Sequence, residues 1–245
     1  MNYQLSEIIS NERISKNVYF LKLKRELTEK IIPGQFYMIK IPDKSPLLAR
    51  PLSVCELCDD YIGFCYVVVG TGTAKLAKLS SGEQVYTIGP LGNGFPIEQI
   101  QGEIAIVAGG IGIAPFVEVI KYLDYRNVTL YAGFTSEPYL LDRFNNVNEV
   151  NVSTDDGSYG YKGFITELFH PEKYDVVLTC GPEILMEKIV KVCQKANVIS
   201  FASMDKHMAC GIGACLVCAC KTLTGNKRCC KDGPVFKGQD LVFEV

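Results

Sequence analysis

The spacing of cysteines near the end of the chain constrains the fold more than any other feature. Residues 208–220 read MACGIGACLVCAC, and six of the 11 cysteines, Cys210, Cys215, Cys218, Cys220, Cys229 and Cys230, stand at position 210 or beyond in a chain of 245 residues. Cys210 and Cys215 are separated by four residues, Cys215 and Cys218 by two, and Cys230 follows after eleven more. A C-x4-C-x2-C run with a distant fourth cysteine is the ligand spacing of plant-type [2Fe-2S] centres. Two irons need four thiolates converging from one side, so a tight loop is expected to supply three and a separate strand the fourth. Gly211 and Gly213 allow positive φ and bring amide N–H groups up to inorganic sulfides. Structural zinc prefers paired C-x2-C units across a longer gap, a pattern only Cys215 and Cys218 satisfy. Cys220 and Cys229 are left over and read as small buried apolar residues, with Cys229 the competitor of Cys230 for the fourth position.

Composition excludes several other readings. Hydrophobic residues make up 48% and charged residues 21%, with a net charge of -2. That balance argues against a disordered chain and against nucleic acid as a partner. The N-terminus alternates polar and apolar residues without the basic start and apolar core of a secretory signal. The longest apolar run, IAIVAGGIGIAPFV, is broken by glycine and shorter than the ~20 residues of a membrane span. A cytoplasmic protein with no membrane partner is expected. An odd number of cysteines in such a chain points to metal or redox chemistry rather than to a disulfide framework.

The chain is long enough for two modest domains and an appendage. From Tyr3 to about Gln99, short β-type runs (VYFLKLK, QFYMIKI, YIGFCYVVV, QVYTIGPLG) are separated by turn signals such as Pro33-Gly34, which predicts an antiparallel barrel over 1–99. Strands then alternate with helices: EIAIVA, an amphipathic helix over 115–125, VTLYAGF, EVNVSTDD, a short helix near FITELF, YDVVLTC and a closing helix over 182–196. That alternation predicts a parallel α/β domain over 100–198. Residues 199–245 hold the cysteines, carry too little apolar periodicity for a core of their own, and are expected to fold around the metal. The fold class is therefore β + α/β with a small C-terminal [2Fe-2S] subdomain.

Two sets of loops suit nucleotides. IVAGGIGIAP sets Gly109, Gly110 and Gly112 between a buried strand and a helix opening at Pro115, where a diphosphate can meet bare backbone and a positive helix end. Cys180, Gly181 and Pro182 end a second strand at the same carboxyl edge, and two loops at one edge make a ligand crevice. In the barrel, RPLS (50–53) follows a strand and offers the guanidinium of Arg50 to a diphosphate and the hydroxyl of Ser53 to a ring nitrogen or carbonyl. GTGTAKL (70–76) adds a second backbone-rich loop. Taken singly, each is equally well an ordinary turn.

Together RPLS, GTGT, GGIGIAP, CGPEILM and the four-cysteine loop occur in the order of the ferredoxin reductase-like flavoproteins, which the whole chain resembles. MACGIGACLVCACKT and CKDGPVF narrow the resemblance to the electron-transfer subunits of NAD-dependent dihydroorotate dehydrogenases. The resemblance implies an FAD-binding barrel, an NAD domain and a [2Fe-2S] subdomain. By matching positions, FAD is held by Arg50, Pro51, Leu52 and Ser53, by Cys65, Tyr66 and Val67, and by Gly72 and Thr73. NAD lies over Gly109, Gly110, Gly112 and Pro115 and over Cys180, Gly181, Pro182 and Met186, with Asp155, Asp156 and Gly157 lining the crevice. The cluster is ligated by Cys210, Cys215, Cys218 and Cys230, the last because the family's cysteine precedes an xDGPVF stretch. Two positions depart from the family: Val67 stands where an arginine usually follows the tyrosine, and the segment between Cys218 and Cys230 is short.

The resemblance further implies electrons from an FMN-containing dihydroorotate dehydrogenase catalytic subunit, within a heterotetramer serving pyrimidine biosynthesis, delivered to NAD. No catalytic side chain is required, because hydride transfer rests on placing the flavin against the nicotinamide. Tyr66 either stacks on the flavin or packs in the barrel, and His207 reads as a packed or capping residue. NAD is expected over NADP because GFTSEPY carries Glu137 and no basic residue. Two alternatives stay open: a reductase subunit of another NAD(H)-linked complex, ferredoxin- or sulfide-linked, and a redox-sensing subunit without turnover.

Overall fold

The computed structural model describes residues 2–25 and 30–243; Met1, 26–29 and 244–245, which the expected spans 1–99 and 199–245 include, lie outside them. Six strands, β1 (Asn2–Ser15), β2 (Val18–Lys24), β3 (Phe36–Lys40), β4 (Arg50–Leu57), β5 (Tyr61–Val67) and β6 (Gln84–Leu91), close an antiparallel barrel in the order β1-β2-β5-β4-β3-β6. The period-2 alternation produces this directly. Along β6, Val85, Thr87, Gly89 and Leu91 are buried while their neighbours are more open, and Ile8, Leu21, Ile39, Phe64 and Val85 meet in the interior. A short helix, α1 (Thr71–Leu76), adds Leu76 to that interior. RPLS does not follow a strand, as expected from sequence, but opens one: Arg50 is the first residue of β4.

The second half begins with β7 (Ile104–Gly109), α2 (Ala114–Val119), β8 (Val128–Phe134), β9 (Glu149–Thr154), β10 (Tyr161–Lys162), β11 (Val176–Cys180), α3 (Glu183–Lys195) and β12 (Ile199–Ser203). A hairpin of β13 (Ala219–Thr222) and β14 (Gly225–Arg228), the single turn α4 (Cys229–Asp232) and β15 (Val235–Lys237) complete it. The large sheet runs β10-β9-β8-β7-β11-β12-β15, parallel throughout except for β15, which pairs antiparallel with β12. β12 and β15 thus continue the sheet of the nucleotide half, although the sequence assigns both to the last segment.

The amphipathic helix expected over 115–125 is instead a 3-10 turn (110–113), six residues of α-helix and a second 3-10 turn (120–122). Its polar face is absent because the element is covered on both sides, and every residue of α2 is buried. Glu118 tolerates this by accepting the Leu57 N–H of β4 at 2.8 Å and pairing with Lys121 at 2.8 Å. A second ion pair, Arg143 to Glu56 at 2.7 Å, joins the same two halves. FITELF forms only a 3-10 turn over Ile165–Glu167.

The cysteine segment does have a core, shared with both neighbours. Met204, Met208, Cys218, Cys229, Cys230 and Leu241 pack with Phe36, Met38 and Leu91 of the barrel and with Met186 and Val190 of α3. Among the described residues, no helix is long and apolar enough to cross a membrane.

Candidate cluster and nucleotide sites

The cysteine loop is shaped by two glycines, Gly211 at φ +72° and Gly213 at φ +82°. These turns aim backbone donors at sulfur. The Ile212 N–H reaches Cys210 Sγ at 3.4 Å, the Gly213 N–H reaches Cys230 Sγ at 3.1 Å, and the Cys230 N–H reaches Cys218 Sγ at 3.4 Å. Thiols pair two by two, Cys210 with Cys215 and Cys218 with Cys230. Among the described residues, no three or more His, Cys, Asp or Glu groups are placed to hold one ion. Two pairs suit a binuclear iron centre with two protein sulfurs per iron, whereas tetrahedral zinc needs its four ligands around one point. Burial pushes the Cys210 thiol up, but the backbone N–H groups of Ile212, Cys215 and Ala214 outweigh it and hold it at about 6. Burial and the neighbouring Cys218 push Cys230 up to about 12.

Geometry separates the two adjacent cysteines at the fourth position. Cys230 faces the loop from the single turn α4 rather than from the strand expected, while Cys229 is fully buried and donates its S–H to the Met204 carbonyl at 3.2 Å. Arg228 fastens loop to helix: it grips Asp232 through two bonds of 2.9 and 3.0 Å and donates to the Gly213 carbonyl at 3.3 Å. Sequence reasoning passed over this clamp, although its i,i+4 spacing around the cysteine pair was a visible signal. His207 is exposed rather than packed.

In the barrel, Arg50 lies against the bare Cα of Gly72, where a Cβ would stand 2.2 Å from its Nε. Its hydrogen bonds go to the carbonyls of Leu48 and Ala49, neutral acceptors, and among the described residues no carboxylate pairs with it. Lys75 ties the preceding loop to α1 through Asp43 (2.6 Å) and the Ser45 carbonyl (2.7 Å). Leu47, Leu48 and Val69, which flank these contacts in sequence, are exposed at 76%, 48% and 85%. A cation without a carboxylate partner, bare backbone and exposed apolar side chains together fit a flat ring system carrying phosphate, so the cradle suits FAD.

Other residues assigned to the flavin are placed differently. Tyr66 is 1% exposed, stacks on Tyr19 and donates to Asn11 Oδ1 at 3.0 Å, which makes it a barrel-core residue. The Thr73 hydroxyl accepts the N–H groups of Val69 and Gly70 and donates to the Gly70 carbonyl, so it caps its own helix. Cys65 is buried and Val67 half-buried, both packed in the core between barrel and sheet. Pro51, Leu52 and Ser53 stay half-buried on a paired strand.

At the sheet edge, the two glycine loops meet as expected, because β7 and β11 are parallel neighbours. Several glycines serve that meeting itself. A Cβ on Gly112 would stand 2.3 Å from the Cys180 carbonyl oxygen, one on Gly109 2.7 Å from Pro182, and one on Gly181 2.8 Å from the Gly109 nitrogen. A Cβ on Gly110, whose φ is +52°, would meet only the Tyr139 hydroxyl, at 3.8 Å, among the described residues, so the backbone there is open to a diphosphate. Pro115 is buried in α2. Met186 is 1% exposed and turned into the core beside the cysteine loop, so its side chain stays out of the crevice. Glu137 is exposed and accepts the Ser15 hydroxyl of the barrel hairpin at 2.7 Å. Asp155, Asp156 and Gly157 form an exposed turn after β9.

Residues 205–242 match the iron-sulfur cluster binding domain of dihydroorotate dehydrogenase B. The "Dihydroorotate dehydrogenase B (NAD(+)), electron transfer subunit" of Clostridium acetobutylicum is 48% identical over 242 residues, covering 98% of each chain. The chain belongs to the dihydroorotate dehydrogenase B electron transfer subunit family. Its Clostridium perfringens member is 47% identical and covers 99% of both chains. Among solved structures, the NADH-dependent reduced ferredoxin-NADP oxidoreductase superposes with a TM-score of 0.85 at 27% identity, over 98% of this chain and 90% of that one. A ferredoxin NADP+ reductase from Neisseria gonorrhoeae, solved with FAD and NADP, shares the fold at a TM-score of 0.66 and 17% identity, over 79% of this chain and 91% of its own. The short segment between Cys218 and Cys230, a departure from the family pattern, folds as a tight hairpin in which β13 and β14 turn through only Leu223 and Thr224.

Proposed function

We propose that this chain is the electron-transfer subunit of a NAD-linked dihydroorotate dehydrogenase, an oxidoreductase whose substrate is oxidised in a separate, FMN-containing catalytic subunit. FAD and a [2Fe-2S] cluster are its resident groups, NAD is its acceptor, and the complex is a cytoplasmic heterotetramer acting in pyrimidine biosynthesis. A bound flavin exchanges a hydride with a nicotinamide and single electrons with an iron-sulfur centre.

The observation that carries the reading is the contact between the cysteine loop and the barrel. A Cβ on Gly211 would stand 2.5 Å from Met38 Cγ of β3, and Met38 pairs directly with Pro51 beside Arg50. The loop that would hold the cluster therefore leans on the strand next to the flavin cradle. Cys210, Cys215, Cys218 and Cys230 would be the ligands, with the Ile212 and Gly213 amides orienting sulfur. Arg50 and the backbone at Gly72 would anchor the flavin phosphate. Gly110 and the loop Cys180–Pro182 would receive NAD, with the glycine packing of the two loops fixing the crevice.

The cysteine loop also has an apolar rim. Ile212, Leu216, Val217 and Leu223 are exposed at 46%, 64%, 55% and 72%. Such a rim around a buried ligand pair suits a catalytic subunit docking at the cluster. We divide the chain at 99/100 and, because β12 remains in the sheet, after Ser203. The test is an anaerobic NADH titration of the purified chain followed by visible spectrum, then the same chain with a catalytic subunit and dihydroorotate. Reduction of flavin and cluster by NADH, and by dihydroorotate only when the partner is present, is the expected result. Reduction by NADH but never by dihydroorotate with its partner would keep the cofactors and remove the assigned complex.

A further inference from the structure

The loop after β8, residues 135–140, holds an oriented tyrosine at the mouth of the nucleotide crevice. Glu137 is drawn to the barrel hairpin through Ser15 and Leu140 is buried in the core, so the loop is fixed on both sides of Tyr139. Leu140 stands at φ +62°, a conformation that costs a leucine energy and that burial of its side chain offsets. The Tyr139 ring is half-buried, meets Phe134 edge-on with ring centres 5.0 Å apart, and packs against the core shared by barrel and sheet. Its hydroxyl lies beside the open backbone of Gly110, where a Cβ would stand 3.8 Å from it and meet nothing else among the described residues. Among those residues the hydroxyl has no hydrogen-bond partner. Burial raises the phenol above its usual range, so it keeps its proton and remains a donor.

We infer that the Tyr139 hydroxyl donates a hydrogen bond to the diphosphate of the bound dinucleotide, across the crevice from the Gly110 backbone. The inference rests on the reading of the two glycine loops as the NAD site. A phosphate accepts from backbone and hydroxyl donors alike, and with no side chain at Gly110 it can be met from both sides. Phosphate rather than ribose is the acceptor, because a ribose hydroxyl is held by a carboxylate in such folds and the carboxylate of this loop, Glu137, is engaged with Ser15. The packing also prepares the contact. Tyr139 is already seated on Phe134 between a tied Glu137 and a buried Leu140, so little side-chain freedom is lost when the hydroxyl engages a ligand. Phenylalanine in its place keeps the ring and removes the donor alone.

The test is Tyr139→Phe in the cluster-loaded, flavin-loaded protein, with ADP-ribose as the probe. ADP-ribose carries the diphosphate without the nicotinamide, and with flavin in place it competes for the NAD crevice and not for the flavin cradle. Isothermal titration calorimetry is expected to show binding to wild type and about tenfold weaker binding to the variant, the loss of one hydrogen bond to a charged group. In stopped-flow reduction by NADH, the half-saturating concentration is expected to rise by the same factor while the limiting rate of flavin reduction changes by less than about twofold. Equal affinity of the two proteins for ADP-ribose would overturn the inference and leave the NAD site standing. A limiting rate that falls while ADP-ribose affinity holds would move the hydroxyl to the nicotinamide and overturn it too. Wild-type protein that binds NADH but no ADP-ribose would remove the diphosphate contact, and wild-type protein that binds neither would remove the NAD reading on which the inference rests.

Discussion

Gly211 and Met38 are in backbone-to-side-chain contact so close that no larger residue fits at the first position: the added Cβ would stand 2.5 Å from Met38 Cγ at a φ of +72°. Alanine there meets two costs, about 1–2 kcal/mol for a left-handed L-residue and the displacement of Met38 or of the loop. Since Ile212 and Gly213 donate to the sulfurs of Cys210 and Cys230, the proposed ligands, loop displacement would reach the cluster. Gly211→Ala is expected to bind less iron per flavin and to transfer electrons to the cluster more slowly, while NADH still reduces the flavin. Equal iron content and unchanged transfer in the variant would mean that the contact does not seat the loop.

Cys229 and Cys230 are neighbours in sequence with opposite surroundings, one donating to Met204 in the core and the other accepting from Gly213 in the loop. Cys230→Ser is therefore expected to lose most of its iron and sulfide. Cys229→Ser is expected to keep both, with a stability loss of about 1–2 kcal/mol from a small hydroxyl replacing a packed sulfur. Iron and sulfide analysis with electron paramagnetic resonance of the reduced proteins distinguishes them. Iron retained in the first variant and lost in the second would exchange their roles.

Leu216 is exposed at 64% with φ +62°, a conformation that costs a leucine energy without any compensating burial in the chain alone. A docking partner would supply that burial. Leu216→Asp is expected to leave NADH oxidation with artificial acceptors unchanged and to weaken binding to a catalytic dihydroorotate dehydrogenase subunit by at least tenfold, about 1.4 kcal/mol. Analytical ultracentrifugation of the mixed subunits reads the effect, and an unchanged affinity would move the docking face elsewhere.

Local patterns carried most of the architecture. Alternation over VYFLKLK and QVYTIGPLG became β2 and β6, and the glycines read in the cysteine run stand at positive φ in its loop. What stayed hidden depended on contacts between distant segments. Nothing in ISFAS or VFK announces that the two strands pair with each other across the cysteine loop, since short apolar runs carry no partner information. The motif PFVEVIKY looks amphipathic because Glu118 is charged, and only β4 packing over it reveals a buried carboxylate. Met186 and Thr73 belong to nucleotide motifs by position, yet one side chain turns to the cluster core and the other to its own helix cap. Glycines hid a second use in the same way: Gly112 and Gly181, read for ligand approach, also pack loop against loop.

Buried thiols away from the cysteine loop make stability fall at alkaline pH. Burial pushes Cys65, Cys180 and Cys193 each from 9.0 up to about 12. Below pH 9 both folded and unfolded chains carry these protons, and the stabilisation is fully present. Between 9 and 12 the unfolded chain releases them while the folded chain retains them, so each thiol removes about 1.4 kcal/mol of stability per pH unit, a loss that levels off above 12. Cys193 is fully buried on α3 and touches neither cradle, which makes it the cleanest probe. Cys193→Ala is expected to be less stable than wild type at pH 7 because of the cavity it leaves, yet to lose stability more slowly from pH 9 to 12 by one proton's slope. Urea unfolding midpoints across that range measure both effects, and parallel pH profiles for the two proteins would show that Cys193 ionises alike in both states.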